Sequence, residues 1–513
     1  MYEQAERGSA ELFRLSNRPH PFSKAISTIF GDSKNITIRS REEALIYSSL
    51  AYDFASLLLR KIQPYYAIPI LMQAVNDFYY GPYKRQPMWI GTAFKTSISL
   101  VWGNLYHNHS TNLYSLERIA DGVAASSIYE QLFCLQTCFM AGIEGVVKVN
   151  PDGFSYSGEL KQFSFEWNEA FEKRGELHRT LEDSLKTIWK EPTAVVTSLQ
   201  NILSGQRPSD QIIFKNTIFG EIPFGESIEF WAGLYTRYLL CMNATYLRSK
   251  IDTNQIGICV LPSKMIIPQI ELDVNILDVL KNSARDLAWE YTWYSPFLRH
   301  EKVQNMIVYR PLIPISKNQD LFVTSFHHAG DSLNWFVESS VMGYDFIDSV
   351  KLSKEVFGKL VANKFEEKVI SIFNDKGFCA GRVNDAGVWE NGNGRQLLTN
   401  DNEKMPGEID LLAYNESKRL VVIGECKVLS LSGSPTTIRN IIYKIGDLDS
   451  EGFHSKLRRK IQWIENTTYF KKITEGSFVG ILILDREFPG MHHKDHIVID
   501  LDNLKNALDA ILK

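Results

Sequence analysis

The spacing of apolar residues changes along the chain, and each rhythm predicts a different kind of structure. From about Arg41 to Asn150 apolar positions recur every three or four residues, most plainly at Ala44, Tyr47, Ala51, Phe54 and Leu58, which mark one face of an amphipathic helix. Further helices are expected over Ile68–Tyr79, Leu113–Ala125, Ser127–Ile143, Glu176–Trp189 and Ser227–Leu247. Between residues 256 and 350 the periods mix, with a strand around Cys259 to Leu261 and helices over Val274–Tyr294 and Gly330–Val341. The last third reads as a helix (Lys354–Asp375), an irregular segment, a strand (Glu408–Tyr414), a polar loop (Asn415–Arg419) and a second strand (Leu420–Leu429). A long loop, a helix (Gly452–Asn466), strands Ser477–Leu484 and Ile497–Asp500 and a helix (Leu501–Leu512) complete it. The expected organisation is multidomain: an α-rich N-terminal module (1–255), a mixed α/β connector (256–350) and an α/β domain (351–513) whose central mixed sheet is flanked by helices.

Composition narrows the class. With 513 residues, 44% hydrophobic and 12% aromatic, the chain can build several packed cores. A net charge of -4 and a pI near 6.3 exclude a uniformly basic nucleic-acid coat, so any contact with nucleic acid must be local. The N-terminal Met1 to Arg7 segment is polar and leads into no apolar run, so no secretory signal is expected. Apolar stretches such as Tyr66–Val75 are too short to span a bilayer, so no membrane partner is expected. Six scattered cysteines (Cys134, Cys138, Cys241, Cys259, Cys379 and Cys426) suit a reducing compartment and place the protein in the cytoplasm. Cys134 and Cys138, one helical turn apart without Cys or His neighbours, read as buried helix residues. The first 350 residues contain no repeat, P-loop or glycine-rich dinucleotide fingerprint.

Chemistry concentrates in the last third. Alternation along Gly407 to Tyr414 puts Glu408 and Asp410 on one face and Ile409 and Leu411 on the other. Along Val421 to Leu429 it groups Val421, Ile423, Glu425, Lys427 and Leu429, opposite Val422, Gly424, Cys426 and Val428. Both faces are largely apolar, as in a strand covered on both sides, so the charges of Glu425 and Lys427 need partners. A hairpin closing at Asn415–Arg419 would bring Asp410 beside Glu425, where their oxygens can converge on one hard divalent cation within reach of Lys427. The alternative is a buried ion-pair network that only holds the hairpin together.

This pattern resembles the PD-(D/E)XK nuclease superfamily, in which an acidic residue at a strand end is followed by an acid-x-lysine triplet on the next strand. Here these are Asp410, in the form Pro406-Gly-Glu-Ile-Asp410, and Glu425-Cys-Lys427. The segment Phe365 to Phe378 looks like the family's preceding acidic helix, with Glu366 the better match and Glu367 the reserve. Over residues 351–513 the resemblance implies a restriction-endonuclease-like fold and a Mg2+ ion, replaceable by Mn2+, held by Asp410, Glu425 and Glu366. It further implies an activated water attacking a phosphodiester of DNA, with Lys427 positioning that water or stabilising phosphorane charge. The family's polar residue on the later helix falls on Gln462, with Lys456 next. The residue types suit that chemistry, since carboxylates leave metal positions open to water and phosphate, and a lysine adds charge where anionic charge accumulates.

Helix Ser455 to Asn466 is expected to turn Leu457, Ile461 and Ile464 to the core and Lys456, Arg459 and Lys460 to solvent, where they can meet phosphates. His492, His493 and His496 read as an exposed loop of histidines, His327-His328 carries less signal still, and Glu390–Arg395 reads as a turn. The expected function is a Mg2+-dependent DNA endonuclease whose N-terminal module senses or recruits, the layout of bacterial restriction and anti-phage defence proteins. An ATPase or another defence component is then an expected partner, and a homo-oligomer would gather scattered basic residues into one channel. The competing classes are a ribonuclease using the same site and a non-catalytic nucleic-acid-binding or assembly protein.

Overall fold

The computed structural model describes residues 1–16, 19–31, 36–80, 88–106, 113–140, 142–151, 153–163, 257–262, 311–316, 320–325, 328–330, 332, 362–400, 403–429, 435–445, 452–472, 477–488 and 495–512. The chain divides into two compact units, residues 1–213 with 225–351, and residues 214–224 with 352–513.

In the first unit the described helices are α1 (Tyr2–Ser16), α2 (Pro19–Phe30), α3 (Arg41–Leu59), α4 (Pro64–Tyr80), α5 (Met88–Tyr106) and α6 (Leu116–Met140). Helix α3 starts where Ser40 accepts the Glu43 N–H at 3.2 Å, and Glu43 in turn accepts the Arg39 N–H at 2.6 Å. The two helices expected over Leu113–Ala125 and Ser127–Ile143 are one, α6, because Ser127 turns its hydroxyl to the Ala124 carbonyl and leaves the helix ladder intact. Helix α5 falls in the stretch read as helical without having been delimited there, and α1 and α2 precede that stretch within the expected α-rich module. The antiparallel sheet of β1 (Ile36–Ile38), β2 (Gly145–Asn150) and β3 (Gly153–Gly158), part of which falls in the stretch read as helical, was not expected. Cys138 is buried as expected, but Cys134 is exposed.

Strands β4 (Ile258–Pro262), β5 (Ile313–Pro314) and β6 (Leu321–Ser325) form a second small sheet in the same unit. It is tied to the helices through its backbone: the Ile258 N–H donates to Gln73 Oε1 at 3.1 Å and the Val260 N–H to the Tyr2 hydroxyl at 3.0 Å. The described strands of the expected connector therefore sit on the helical module. The helices expected over Glu176–Trp189, Ser227–Leu247 and Val274–Tyr294 lie outside the described residues, as do most of Gly330–Val341 and the first part of Lys354–Asp375. Among the described residues no helix is long and apolar enough to cross a membrane.

The second unit is built on a mixed seven-stranded sheet. Its elements are α7 (Asn363–Asp375), β7 (Cys379–Val383), β8 (Val388–Asn391), β9 (Gly394–Leu397), β10 (Ile409–Asn415), β11 (Leu420–Lys427), α8 (Pro435–Ile445), α9 (Phe453–Glu465), β12 (Ser477–Leu484), β13 (Ile497–Asp500) and α10 (Leu504–Ile511). The strand order is β13-β12-β11-β10-β7-β8-β9, parallel where β11, β12 and β13 meet and antiparallel elsewhere. Strand β11 is covered on both sides, as its continuous apolar run requires. Val422 and Cys426 pack with Phe365, Val369 and Phe373 of α7 and Leu504 and Leu508 of α10, while Val421 and Ile423 pack with Leu457 and Ile464 of α9.

Two segments depart from expectation. The stretch read as irregular before β10 holds β7, β8 and β9, with Glu390–Arg395 spanning the β8–β9 hairpin turn, and the long loop after β11 contains α8. The alternation expected across β10 also fails. Its pairing with β7 steps from Ile409↔Val383 to Leu412↔Gly381, three residues against two, which is a β-bulge. Ile409 and Leu412 consequently face α9 whereas Leu411 and Ala413 face α7 and α10, so Ile409 and Leu411 lie on opposite faces rather than sharing one.

Candidate functional site

The bulge sets the geometry of the site, because Asp410 lies between its two sides, one residue before the first pair of the β10–β11 hairpin, Leu411↔Gly424. Freed from the regular ladder, the Asp410 carboxylate accepts the Cys426 N–H at 2.8 Å through Oδ2, which also accepts from Lys427 Nζ at 3.3 Å. Lys427 ends β11, and its ammonium also reaches Glu425 Oε1 at 2.7 Å and the Cys426 carbonyl at 2.9 Å. The Phe453 ring of α9 lies beneath it, 5.8 Å from Nζ to the centroid.

Glu425 is 4% exposed and its second oxygen is ion-paired with Lys460 of α9. Lys460 itself is 7% exposed, which corrects the expectation that it faces solvent. Three residues after Leu457 and four before Ile464, it shares their buried stripe, and position on the helix outweighs residue type. Gln462 is exposed and is not brought to the cluster, so the polar residue that α9 turns to the cluster is Lys460.

Glu366 of α7 pairs with Arg382 of β7 at 2.7 Å, while Glu367 is exposed. Burial, and then the negative charge of Asp410, push the Glu366 carboxyl up to about 7. Burial opposes the charge of Lys427, but Asp410 and Glu425 outweigh it and hold the ammonium above its ordinary value. Burial likewise opposes ionisation of Glu425, and Lys427 and Lys460 outweigh it, holding this carboxyl below its ordinary value. Among the described residues the ion-paired centre thus comprises three carboxylates (Glu366, Asp410, Glu425) and three cations (Arg382, Lys427, Lys460).

Sequence reasoning missed Arg382, the inward place of Lys460 and a further bracket at the end of β12. There Asp485 accepts the Leu429 N–H at 2.7 Å and Arg486 Nε at 2.8 Å, while its own N–H donates to the Lys427 carbonyl at 3.1 Å. Asp485 therefore fixes the backbone on both sides of Val428, immediately beyond the lysine. The inward place of Lys460 was readable from its spacing to Leu457 and Ile464; nothing in the sequence marked Arg382 or Asp485.

The expected exposed histidine loop is also corrected in part. His496 is buried and stacks on buried His454 of α9, with ring centroids 5.2 Å apart, planes 7° apart and Nδ1 atoms at 3.0 Å. His328 is buried too, and His327, His492 and His493 lie outside the described residues.

Among the described residues no group of three or more His, Cys, Asp or Glu side chains stands in metal-holding geometry, and in the cluster the Lys427 ammonium bridges Asp410 and Glu425. The donor chemistry nevertheless suits a hard divalent cation. Asp410 and Glu366 are oxygen donors close enough for the charge of one to raise the other, a repulsion that a cation there relieves. Comparison with protein-family profiles, curated protein sequences and solved structures finds no significant match for this chain.

Proposed function

We propose that the second unit is a metal-dependent nuclease domain of the PD-(D/E)XK, restriction-endonuclease-like type, and that the protein is a DNA endonuclease. One observation carries the reading: two carboxylates on adjacent central strands, Asp410 and Glu425, converge on one lysine, Lys427, two residues beyond Glu425. The bulge that releases Asp410 from the ladder is what makes that convergence available.

In this reading Asp410, Glu366 and Glu425 would hold Mg2+, or Mn2+ in its place, and the ion when bound lowers the pKa of a water and screens charge on a phosphodiester. Lys427 supplies a positive charge from the end of a rigid strand, held by Glu425 and the Cys426 carbonyl, at the point where anionic charge accumulates. The Asp485 bracket keeps that strand end from fraying. The first unit would sense or recruit, in a cytoplasmic restriction or anti-phage role with an ATPase or other defence component as partner, and a homo-oligomer would assemble a basic channel for DNA.

The completeness of the ion pairing favours a second reading, a non-catalytic binding or assembly protein in which the same network only supports the hairpin. Incubating the full chain with supercoiled plasmid and with single-stranded RNA, in Mg2+ or Mn2+ against a chelator control, separates them. Metal-dependent nicking of the plasmid is expected. Cleavage of RNA alone moves the reading to a ribonuclease, and no cleavage of either polymer in any divalent metal overturns it.

A further inference from the structure

The proposed nuclease site contains a group that its chemistry does not need. Both oxygens of Glu425 are occupied, Oε1 by Lys427 and Oε2 by Lys460, so the carboxylate that would bind a metal already carries two ammonium partners. Lys460 is too buried to serve as a solvated surface cation, and among the described residues it meets the cluster through Glu425. Among the described residues the ion pairs set three carboxylates against three cations, and two of those cations sit directly on Glu425. A divalent ion arriving at Glu425 adds positive charge beside two ammonium groups, one of them buried, unless an ammonium withdraws or an anion arrives.

We propose that Lys460 is an internal competitor for Glu425: it holds the carboxylate in place while no metal is bound, and a divalent cation gains Glu425 only by displacing it. This inference rests on the cation-binding reading given above. Lysine suits the role. Its four-carbon stem is flexible and its three donors rotate, so the ammonium can pass from Glu425 Oε2 to a phosphate oxygen while α9 stays in place. The phosphate that arrives with substrate also offsets the added positive charge, so cation and nucleic acid bind more tightly together than either does alone. While no metal is bound, Lys460 is thus a positioning residue, acting through Glu425.

The test is calorimetric titration of Mn2+ into the full chain without nucleic acid. Lys460→Met frees one Glu425 oxygen and removes one positive charge, so Mn2+ should bind at least roughly tenfold more tightly than to wild type. Lys460→Gln, which keeps a donor for Glu425 and serves if the methionine variant does not fold, should also tighten binding. Lys460→Arg keeps the charge and should bind no more tightly than wild type. Adding a DNA duplex should strengthen Mn2+ binding more in wild type than in the neutral variants. If the neutral variants bind Mn2+ no more tightly than wild type while wild type binds and cleaves, the role of Lys460 is overturned and the nuclease reading stands. If no form binds Mn2+ with or without DNA, the cation reading falls and takes this one with it.

Discussion

Replacing Glu425 by leucine isolates what the buried ion pair contributes. The substitution removes both partnerships of the carboxylate, but its two lysines are left in different positions. Lys427 keeps Asp410 Oδ2 at 3.3 Å and the Cys426 carbonyl at 2.9 Å, whereas Lys460, 7% exposed, loses the counter-charge that its burial requires. Breaking a buried pair from one side costs about 3–5 kcal/mol, whereas replacing both partners with apolar groups of similar volume is often close to neutral. Glu425→Leu should therefore destabilise the second unit by about 3 kcal/mol, and Glu425→Leu/Lys460→Met by no more than about 1 kcal/mol, although it carries one change more. Hydrogen exchange followed by mass spectrometry on the full chain reads this locally in peptides from β10, β11 and α9. A loss of about 3 kcal/mol appears there as exchange roughly a hundredfold faster. If the double variant is as unstable as the single one, or Glu425→Leu exchanges like wild type, the two side chains are not coupled as the geometry requires.

Two further perturbations test the frame around the site. The Glu366 carboxyl titrates near 7 when folded against an ordinary 4.5, so the folded protein binds the extra proton between those values. Its contribution to stability is present in full below about pH 4.5 and is lost as pH rises through about 7. Glu366→Gln should accordingly gain thermal stability over wild type as pH is raised from about 5 to about 8; a difference that stays flat, or shrinks, contradicts the assignment. At Gly381 an added Cβ would lie 1.6 Å from the Glu390 carbonyl oxygen, a backbone atom that cannot swing aside. Gly381→Ala should force β7 and β8 apart at a cost of about 1–3 kcal/mol, seen as faster exchange in peptides of β8 and β9, and wild-type protection there would disprove the close approach.

How much of this was legible in the chain follows from what periodicity can carry. Strands β11, β12 and β13 announce themselves as apolar runs bounded by polar turns, and the Glu425-x-Lys427 triplet stands out because charges are out of place on such a strand. A bulge inserts one residue without changing composition, so nothing in Gly407 to Tyr414 announces that Ile409 and Leu411 part company. Helix α8 begins at Pro435 after a Ser- and Gly-containing stretch that reads as loop, although proline is well tolerated in the first turn of a helix. Strands β8 and β9 are four residues each around an Asn- and Gly-rich turn, too short for alternation to emerge. Lys460 and His496 read as outward because charged and polar residues usually face water, and both are inside because each finds a buried partner, Glu425 and His454.

The convergence of Asp410 and Glu425 on Lys427 is tested most directly by the rate at which the full chain nicks supercoiled DNA in Mg2+, compared between wild type and Lys427→Met. Cleavage is expected to be abolished by chelation and reduced roughly a hundredfold or more by the substitution, in a variant whose β12 and α9 peptides keep wild-type hydrogen exchange. A folded Lys427→Met protein that cleaves at the wild-type rate, or a wild-type protein that cleaves under no divalent metal, would contradict it.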